Sequence, residues 1–256
     1  MHLSALSEAA AGGASLVAGA INAMAGGGTL VSFPTLVALG VPAVQSNVTN
    51  TVSLLPGYLA GSWAQRADLE PQLAHARLLA GVAAVGGLAG SVLLVALPGS
   101  AFRTSVPYLI LLSCALLAFG DRLRPPAERA DGPEAGRPSL RGALSSFTIF
   151  LGAAYGGFFG AGLGIMLLAL LGLFSAESLT KLNALKQALS FVINLVAAVF
   201  FLFSGKVVWV LVPIMAAGSL LGGLVGGRMV QKVNSLVLRR IVVVAGVAVA
   251  VSFWVG

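Results

Sequence analysis

The sequence predicts an all-α polytopic membrane protein built from two inverted repeats. Each repeat is expected to hold a Gly-broken helix or re-entrant pair plus three spanning helices. Three observations predict this fold: hydrophobic residues dominate the composition, long stretches carry no charge, and one half of the chain matches the other when shifted along it.

The amino-acid composition is typical of an integral membrane protein. Hydrophobic residues make up 58% of the 256 positions and charged residues only 9%, whereas a soluble domain carries roughly 25% charged residues. A membrane-spanning helix needs about 20 apolar residues. The sequence lacks the alternating pattern of a β-barrel strand, so we expect helices to form the backbone hydrogen bonds inside the membrane. The runs without Asp, Glu, Lys, Arg or His are 9–65, 78–102, 104–120, 142–176, 187–205, 207–227 and 241–256.

The net charge and the reactive side chains exclude several classes of protein. A charge of +7 would suggest nucleic acid as the partner of a soluble protein, but Lys and Arg in membrane proteins sit in loops and orient the helices. We therefore expect the lipid bilayer, and no nucleic acid, as a partner. Cys114 is the single cysteine, and His2 and His75 are isolated, so we expect no disulfide, metal site or cofactor. The first apolar stretch lacks a basic n-region and exceeds a signal peptide in length, so we expect it to be retained.

A shift of 136 positions aligns several special residues of the two halves without a gap. It predicts a first transmembrane repeat at 1–120 and a second at 142–256, joined by a polar linker at 121–141 that is rich in Pro, Arg, Asp, Glu and Gly. The matched pairs are Gly26 with Gly162, Gly28 with Gly164, Asn47 with Asn183, and Gly86, Gly87 and Gly90 with Gly222, Gly223 and Gly226.

Each repeat is predicted to contain the same series of elements. A helix runs to about Met24 in the first half and to about Phe159 in the second, and a Gly-rich break follows. Next comes a short apolar segment, Leu30 to Leu39 or Ile165 to Leu173, whose roughly ten residues rise about 15 Å, half of a bilayer. Longer helices are predicted at 44–62, 73–97 and 104–120, and at 178–204, 206–230 and 237–255.

The distribution of Lys and Arg chooses between two topologies. If each broken pair makes one crossing, eight cations lie on the linker side and six on the other. If each pair enters and leaves on one side, or crosses twice, twelve share the linker side, and only Arg103 and Lys206 face the other, with Lys186 inside a helix. The positive-inside rule favours the second topology, in which the halves are inverted. It predicts a cytoplasmic linker and two extracytoplasmic (periplasmic) termini.

The glycine-rich breaks are candidate binding elements. Glycines allow positive φ and expose backbone N–H groups. A half-helix beginning at Thr29 or Leu30 would aim an N-terminus with roughly +0.5 of charge into the membrane, where it could bind an anion. Close helix packing through small residues is the alternative. The second break favours the functional interpretation, because both breaks precede segments too short to span. The candidate residues are Asn22, Gly26, Gly27, Gly28 and Thr29, and Gly160, Gly162 and Gly164.

A polar stripe on one predicted helix is the second candidate element. Asn183, Lys186, Gln187, Ser190 and Asn194 follow the spacing i, i+3, i+4, i+7, i+11, which places them on one helix face. A charged Lys near a helix centre costs about 2.5–3.5 kcal/mol and marks a functional candidate. The alternative is that Lys186 snorkels to the interface. The shifted positions in the first half are Asn47, Asn50, Thr51, Leu54 and Tyr58, of which four are polar.

The charges inside the predicted membrane region are positive. Every Asp and Glu lies at a loop or a helix end, so a proton relay through carboxylates is not expected. One Lys and two half-helix N-termini would supply about two positive charges if they converge, which suits a small oxyanion. The two Gly-Gly-x-x-Gly patterns are interpreted as helix-packing sites, since small residues let helices approach closely.

Two stretches resemble the signatures of the TauE/SafE sulfite exporter family. AINAMAGGGTLVSFPTLVALGVPAVQSNVTNTVS is similar to the first signature, and GAAYGGFFGAGLGIMLLALLGL followed by LTKLNALKQALSFVINL is similar to the second. The resemblance covers nearly the whole chain and implies transport of sulfite, organosulfonates or related sulfur oxyanions across a bacterial inner membrane, usually outward. The second break departs from the unbroken glycine triplet that the family often shows. The site residues that the resemblance implies are Gly26, Gly27, Gly28, Asn47, Asn50, Gly162, Gly164, Asn183 and Lys186.

The leading hypothesis is a secondary transporter that exports a small sulfur-containing anion by alternating access. The alternatives are an importer of another small anion or metabolite, and a non-transporting structural membrane subunit. A membrane enzyme is disfavoured because intramembrane His and carboxylates are missing. The sequence leaves open the exact substrate, the coupling ion and whether the chain forms a homo-oligomer.

Overall fold

A computed structural model gives the arrangement of the chain. It describes residues 4–119, 140–175 and 177–229, together with 240, 243, 244, 246–251 and 253. The predicted linker at 121–141 therefore lies outside the described residues except for its last two positions. The predicted helix at 237–255 is described only in part.

Every regular element in the described part of the chain is helical. Predicted helix ends lie within two residues of the observed ones, except at the starts of α6 and α10. In chain order the helices are α1 (Ala5–Met24), α2 (Thr29–Ala38), α3 (Ala43–Ala64), α4 (Arg66–Leu69), α5 (Leu73–Ala96), α6 (Gly99–Phe119), α7 (Leu140–Phe158), α8 (Leu163–Phe174), α9 (Leu179–Leu202) and α10 (Val212–Met229), with a 3₁₀ turn at Glu70–Gln72.

The starts of α6 and α10 differ from the prediction for identifiable reasons. The predicted α6 began after Arg103, but the helix begins at Gly99 and includes Arg103 as an exposed residue of its second turn. The predicted helix at 206–230 begins only at Val212. Pro213 stands in the first turn of α10, where its missing N–H has no intrahelical partner to lose. The preceding chain forms turns, and the Val208 N–H donates to Thr49 Oγ1 at 2.9 Å.

The helix lengths and surfaces are those of a multi-pass membrane protein. Within the described residues, Arg66–Ala96, Leu179–Leu202 and Val212–Met229 are long and apolar enough to cross a membrane. Large apolar side chains point outward along α5, where Leu78 is 67% exposed and Val85 62%. Helices α2 and α8 have 10 and 12 residues, so they rise about 15 and 18 Å, close to the predicted half of a bilayer.

The chain turns back on itself at both breaks. A Cβ built on Gly28 would overlap the carbonyl of Ala18, and Leu36 near the end of α2 shares a buried cluster with Ala11 near the start of α1. In the second pair Gly156 of α7 lies against Leu163 of α8 while Gly152 lies against Leu170, so the two helices run in opposite directions. Both broken pairs are therefore antiparallel hairpins, while the orientation of the two halves across the membrane stays a prediction.

The two Gly-Gly-x-x-Gly patterns are helix-packing sites, as predicted. A Cβ on Gly86 of α5 would lie 2.5 Å from the Phe150 carbonyl oxygen of α7. A Cβ on Gly226 of α10 would lie 2.5 Å from the Ala20 carbonyl oxygen of α1. Any side chain at either position would separate the helices, so α5 packs closely on α7 and α10 on α1.

Helices α3 and α9 form the polar centre of the fold. They pack against each other, α10 covers α3, and α5 covers α9. Both central helices carry rows of buried polar residues: Asn47, Thr49, Asn50, Thr51 and Ser53 on α3, and Asn183, Lys186, Gln187, Ser190 and Asn194 on α9. The hairpins α1–α2 and α7–α8 both contact these helices.

Candidate functional site

The two breaks meet each other directly. A Cβ built on Gly26 would lie 2.5 Å from Gly164 Cα, and one built on Gly164 would lie 2.6 Å from Gly26 Cα. Gly26 also has φ +74, a conformation that side chains rarely adopt. The convergence on which the predicted site depends is therefore present, since α2 and α8 begin near the same point.

Lys186 lies beside this contact and is completely buried. Its Nζ donates to the backbone carbonyl of Asn22 at 3.2 Å. Its stem passes Gly164, where a built Cβ would be 3.4 Å from Lys186 Cδ. The ammonium thus sits at the negative C-terminal end of α1. It points into the protein and does not snorkel to the interface.

The Asn22 side chain closes the first break. Its Oδ1 accepts hydrogen bonds from the N–H groups of Gly27, at 3.2 Å, and Gly28, at 2.7 Å. These amides, which the sequence suggested for direct contact with an anion, bind Asn22 in this structure. Asn22 Nδ2 is buried and has no hydrogen-bond partner among the described residues. The side chain therefore presents a donor next to the glycine contact.

The two candidate asparagines at matched positions bind the carbonyl ends of the broken helices crosswise. Asn47 Nδ2 of α3 donates to the Phe158 carbonyl at the end of α7, at 2.9 Å. Asn183 Nδ2 of α9 donates to the Ala23 carbonyl near the end of α1, at 3.4 Å. Each break is thus fixed by a central helix of the opposite half of the chain.

A second polar group surrounds Tyr58. Its hydroxyl is within hydrogen-bonding reach of the side chains of Thr29 and Asn194. Asn194 Nδ2 also donates to the Ser190 carbonyl at 2.8 Å. The Ser190 hydroxyl and Asn50 Oδ1 are buried without a hydrogen-bond partner among the described residues. Thr29, the first residue of α2, connects this group to the first break.

Three further candidate residues have structural roles. The Thr51 hydroxyl donates to the Asn47 carbonyl at 3.0 Å within α3. Gln187 Nε2 donates to the Tyr58 carbonyl at 3.4 Å and joins α9 to α3. Gly162, with φ +70, forms the turn that starts α8. Of these three residues, only Gln187 joins two helices, whereas Thr51 and Gly162 shape the local backbone.

The sequence analysis missed three polar residues that fasten the breaks. Gln65 accepts from Asn183 Nδ2 at 2.6 Å and donates to the Ala23 carbonyl at 3.3 Å. Around the second break, the Ala161 carbonyl oxygen lies 2.8 Å from Ser113 Oγ and 2.7 Å from the Tyr155 hydroxyl. Ser113 and Tyr155 stand in apolar helices, where their hydroxyl groups were the only signal.

The centre is lined by polar side chains and one buried lysine. No group of three His, Cys, Asp or Glu side chains comes together within the described residues. Buried polar atoms normally have hydrogen-bond partners, and several here have none within the described chain. They include the donor Asn22 Nδ2, the Ser190 hydroxyl and the acceptors Asn47 Oδ1 and Asn50 Oδ1. Such an arrangement suits a small polar ligand bound near Lys186.

Comparison with known proteins places the chain in a family. The family model described as "Sulfite exporter TauE/SafE" matches residues 11–253. A probable membrane transporter protein from Haemophilus influenzae is 30% identical over 231 residues, 89% of this chain and 87% of that protein. The probable membrane transporter protein ORF9 from a Sinorhizobium species is 30% identical over 93% of this chain and 88% of its own length.

A more distant relative agrees with these matches. The probable membrane transporter protein YfcA of Escherichia coli is 25% identical over 90% of this chain and 82% of its own length. No solved structure matches. The match of the family model over nearly the whole chain shows that this chain belongs to the TauE/SafE sulfite exporter family of membrane transporters.

Proposed function

We propose that this protein is a secondary transporter that exports a small sulfur-containing anion, such as sulfite or an organosulfonate, across the bacterial inner membrane. The observation that carries the proposal is the direct contact between the two breaks with the buried Lys186 beside it. The substrate would bind at this contact. The printed family description and the resemblance of both break regions support a sulfur oxyanion.

The electrostatics of the centre support an anionic substrate. Lys186 places an amine in a fully buried position, and when protonated it would attract an anion more strongly there than in water. The N-termini of α2 and α8 begin near the same glycine contact and add partial positive charge there. No Asp or Glu occurs among the buried residues of α3 or α9, so no carboxylate on those faces would repel an anion.

We assign the two halves to inverted repeats with a cytoplasmic linker and periplasmic termini. A shift of 136 positions places α1 on α7, α3 on α9 and α5 on α10. The α1–α10 contact thus corresponds to the α7–α5 contact, and the α3–α10 contact corresponds to the α9–α5 contact. Inverted repeats with broken helices are a common plan for alternating access. In this proposal, rocking of one hairpin against the other exposes the centre to each side in turn.

Flux through proteoliposomes tests the function. Vesicles loaded with sulfite should release it when they contain the wild-type protein, and release should collapse in Lys186→Ala and in Lys186→Met, whose uncharged side chain is one atom shorter. Lys181→Met is the matched control on the same helix, because Lys181 is partly exposed and pairs with Glu177 at 2.8 Å. Unchanged release from correctly folded Lys186→Met protein would refute the site.

Import of another small anion or metabolite is the second candidate function. The centre offers neutral donors and acceptors as well as Lys186, and these could also bind a carboxylate or a small polar metabolite. Competition in the same flux assay separates the two. Inhibition of sulfite release by sulfonates but not by carboxylates favours the sulfur oxyanion, and the reverse order favours the alternative. A structural subunit would give no flux as a purified chain.

A further inference from the structure

A cavity of about 920 Å³ lies away from the break contact, at the far end of α2. Pro34, Val37 and Ala38 of α2 form one wall, and the connection from α5 to α6 forms another. The ten residues of α2 separate the cavity from the first break by about 15 Å. Its volume lies within the range of small-molecule sites, about 300–1,000 Å³. We refer to it as the α2–α6 cavity.

Two cations from distant parts of the chain line this cavity. Arg103 comes from α6 and Lys206 from the connection between α9 and α10, and no Asp or Glu lines it. Neither side chain forms a salt bridge with any described residue. They are also the only two cations that the favoured topology places on the side opposite the linker. The structure brings both to one cavity.

The start of α3 adds to the positive potential of the cavity. Pro42, the N-cap residue, provides no side-chain hydrogen bond, and the first intrahelical bond runs from Ser46 N–H to the Pro42 carbonyl. The residues between them, Ala43, Val44 and Gln45, all line the cavity. Their N–H groups belong to the unsatisfied first turn of a 22-residue helix.

We propose that the α2–α6 cavity is an anion-attracting vestibule, in which Arg103 and Lys206 concentrate small oxyanions on the side opposite the linker. Clefts lined by one sign of charge raise the local concentration of oppositely charged solutes. The attraction of anions stands independently, whereas its use as the mouth of the transport path rests on the proposed function. An anionic lipid headgroup presents the same chemistry as a free oxyanion.

The electrostatic potential of the α2–α6 cavity can be measured without a transport assay. Ser100 lines the cavity and is exposed, so Ser100→Cys in a Cys114→Ser background gives one reporter thiol. Its reaction rates with an anionic and a cationic methanethiosulfonate reagent are compared in phosphatidylcholine vesicles. We expect the anionic-to-cationic rate ratio to fall about tenfold in Arg103→Gln/Lys206→Gln. Ala5→Cys, an exposed residue outside the cavity, is the control, and its ratio should not change.

The possible outcomes separate this proposal from the proposed function. An unreactive thiol at position 100, or a ratio that the double substitution leaves unchanged, would overturn the vestibule. Protection of the thiol only in vesicles that contain phosphatidylglycerol would assign the cavity to a lipid headgroup and overturn the role as a mouth. With the potential established, we expect the double variant to raise the KM of sulfite flux about threefold to tenfold at low salt, with little change at saturation. A chain that fails to transport sulfite at all would refute the proposed function but leave the rate ratio as a valid test.

Discussion

The first break, at residues 25–28, and the second, at 159–162, reverse the chain in similar ways but are fastened by different chemistry. At the first, the Asn22 side chain binds the Gly27 and Gly28 amides, and Lys186 binds the Asn22 carbonyl. At the second, the neutral hydroxyls of Ser113 and Tyr155 surround the Ala161 carbonyl.

The two breaks also differ in their aromatic contacts. Phe159 at the second break packs edge-on against Phe33, with ring centroids 5.3 Å apart, and against Phe102 at 6.0 Å. The first break has amides and an ammonium where the second has rings and hydroxyls. Under the proposed function, we expect the first break to be the side of the site that responds to an anion. We expect the second break to form a fixed wall of the same site.

The contact between the breaks should be the most sensitive feature. Gly26→Ala would combine a positive φ, which costs about 1–2 kcal/mol for other residues, with overpacking against Gly164, which costs about 1–3 kcal/mol. We expect thermal unfolding in detergent to show a loss of about 2–5 kcal/mol. Gly81→Ala is the control, because nothing lies within 4 Å of its Cβ position. Equal stability of the two variants would show that the breaks do not touch.

Asn22→Asp should distinguish binding from folding at the first break. A carboxylate still accepts from Gly27 and Gly28, so we expect the protein to fold. The added negative charge near Lys186 would repel an anion in a buried environment. The KM for sulfite flux should rise about tenfold or more, measured in proteoliposomes. A normal KM in a folded protein would mean that the anion binds elsewhere.

The second break should affect stability rather than affinity. Tyr155→Phe and Ser113→Ala each remove a hydroxyl beside the Ala161 carbonyl, and each should lower the stability by about 1 kcal/mol. The two losses should not add in a double-mutant cycle, because the hydroxyls lie 2.6 Å apart and share one acceptor. The KM should stay at the wild-type value. A tenfold change in KM would remove the contrast between the breaks.

Lys181→Met should have the smallest effect of these variants. Lys181 and Glu177 form an exposed i,i+4 pair, with side chains 39% and 46% accessible. Such pairs contribute about 0.3–0.5 kcal/mol. Thermal unfolding and flux should both remain near wild type. A large loss of flux would mean that positive charge anywhere on α9 affects transport, which would contradict a specific role for Lys186.

Local pattern predicted most of the fold. Glycine clusters marked both breaks, apolar length separated α2 and α8 from the spanning helices, and the repeated Gly-Gly-x-x-Gly marked close helix packing. The exceptions were helix starts, where Arg103 was mistaken for a boundary and Pro213 for part of a helix interior. In both cases the residue type was compatible with two positions in a helix, and only the surrounding structure selects one.

The polar stripe placed the right side chains on one helix face but could not supply their partners. Lys186 bonds to Asn22, and Asn47 to Phe158, across more than a hundred residues of sequence. The contacts of Ser113 with Tyr155 and with the Ala161 carbonyl likewise depend on tertiary packing, whereas Asn22 reaches the Gly27 and Gly28 amides from five and six residues away. Periodicity reports which residues share a face, whereas the hydrogen bonds depend on what packs against it.

The central claim is that the substrate anion binds where the two breaks meet. The most direct test is the position of selenite, which has the shape and charge of sulfite and carries an anomalous scatterer, in crystals of the protein. We expect selenite oxygens about 3 Å from Lys186 Nζ, beside the contact between Gly26 and Gly164. Ordered selenite found only in the α2–α6 cavity or on the surface, with none beside Lys186, would contradict the claim.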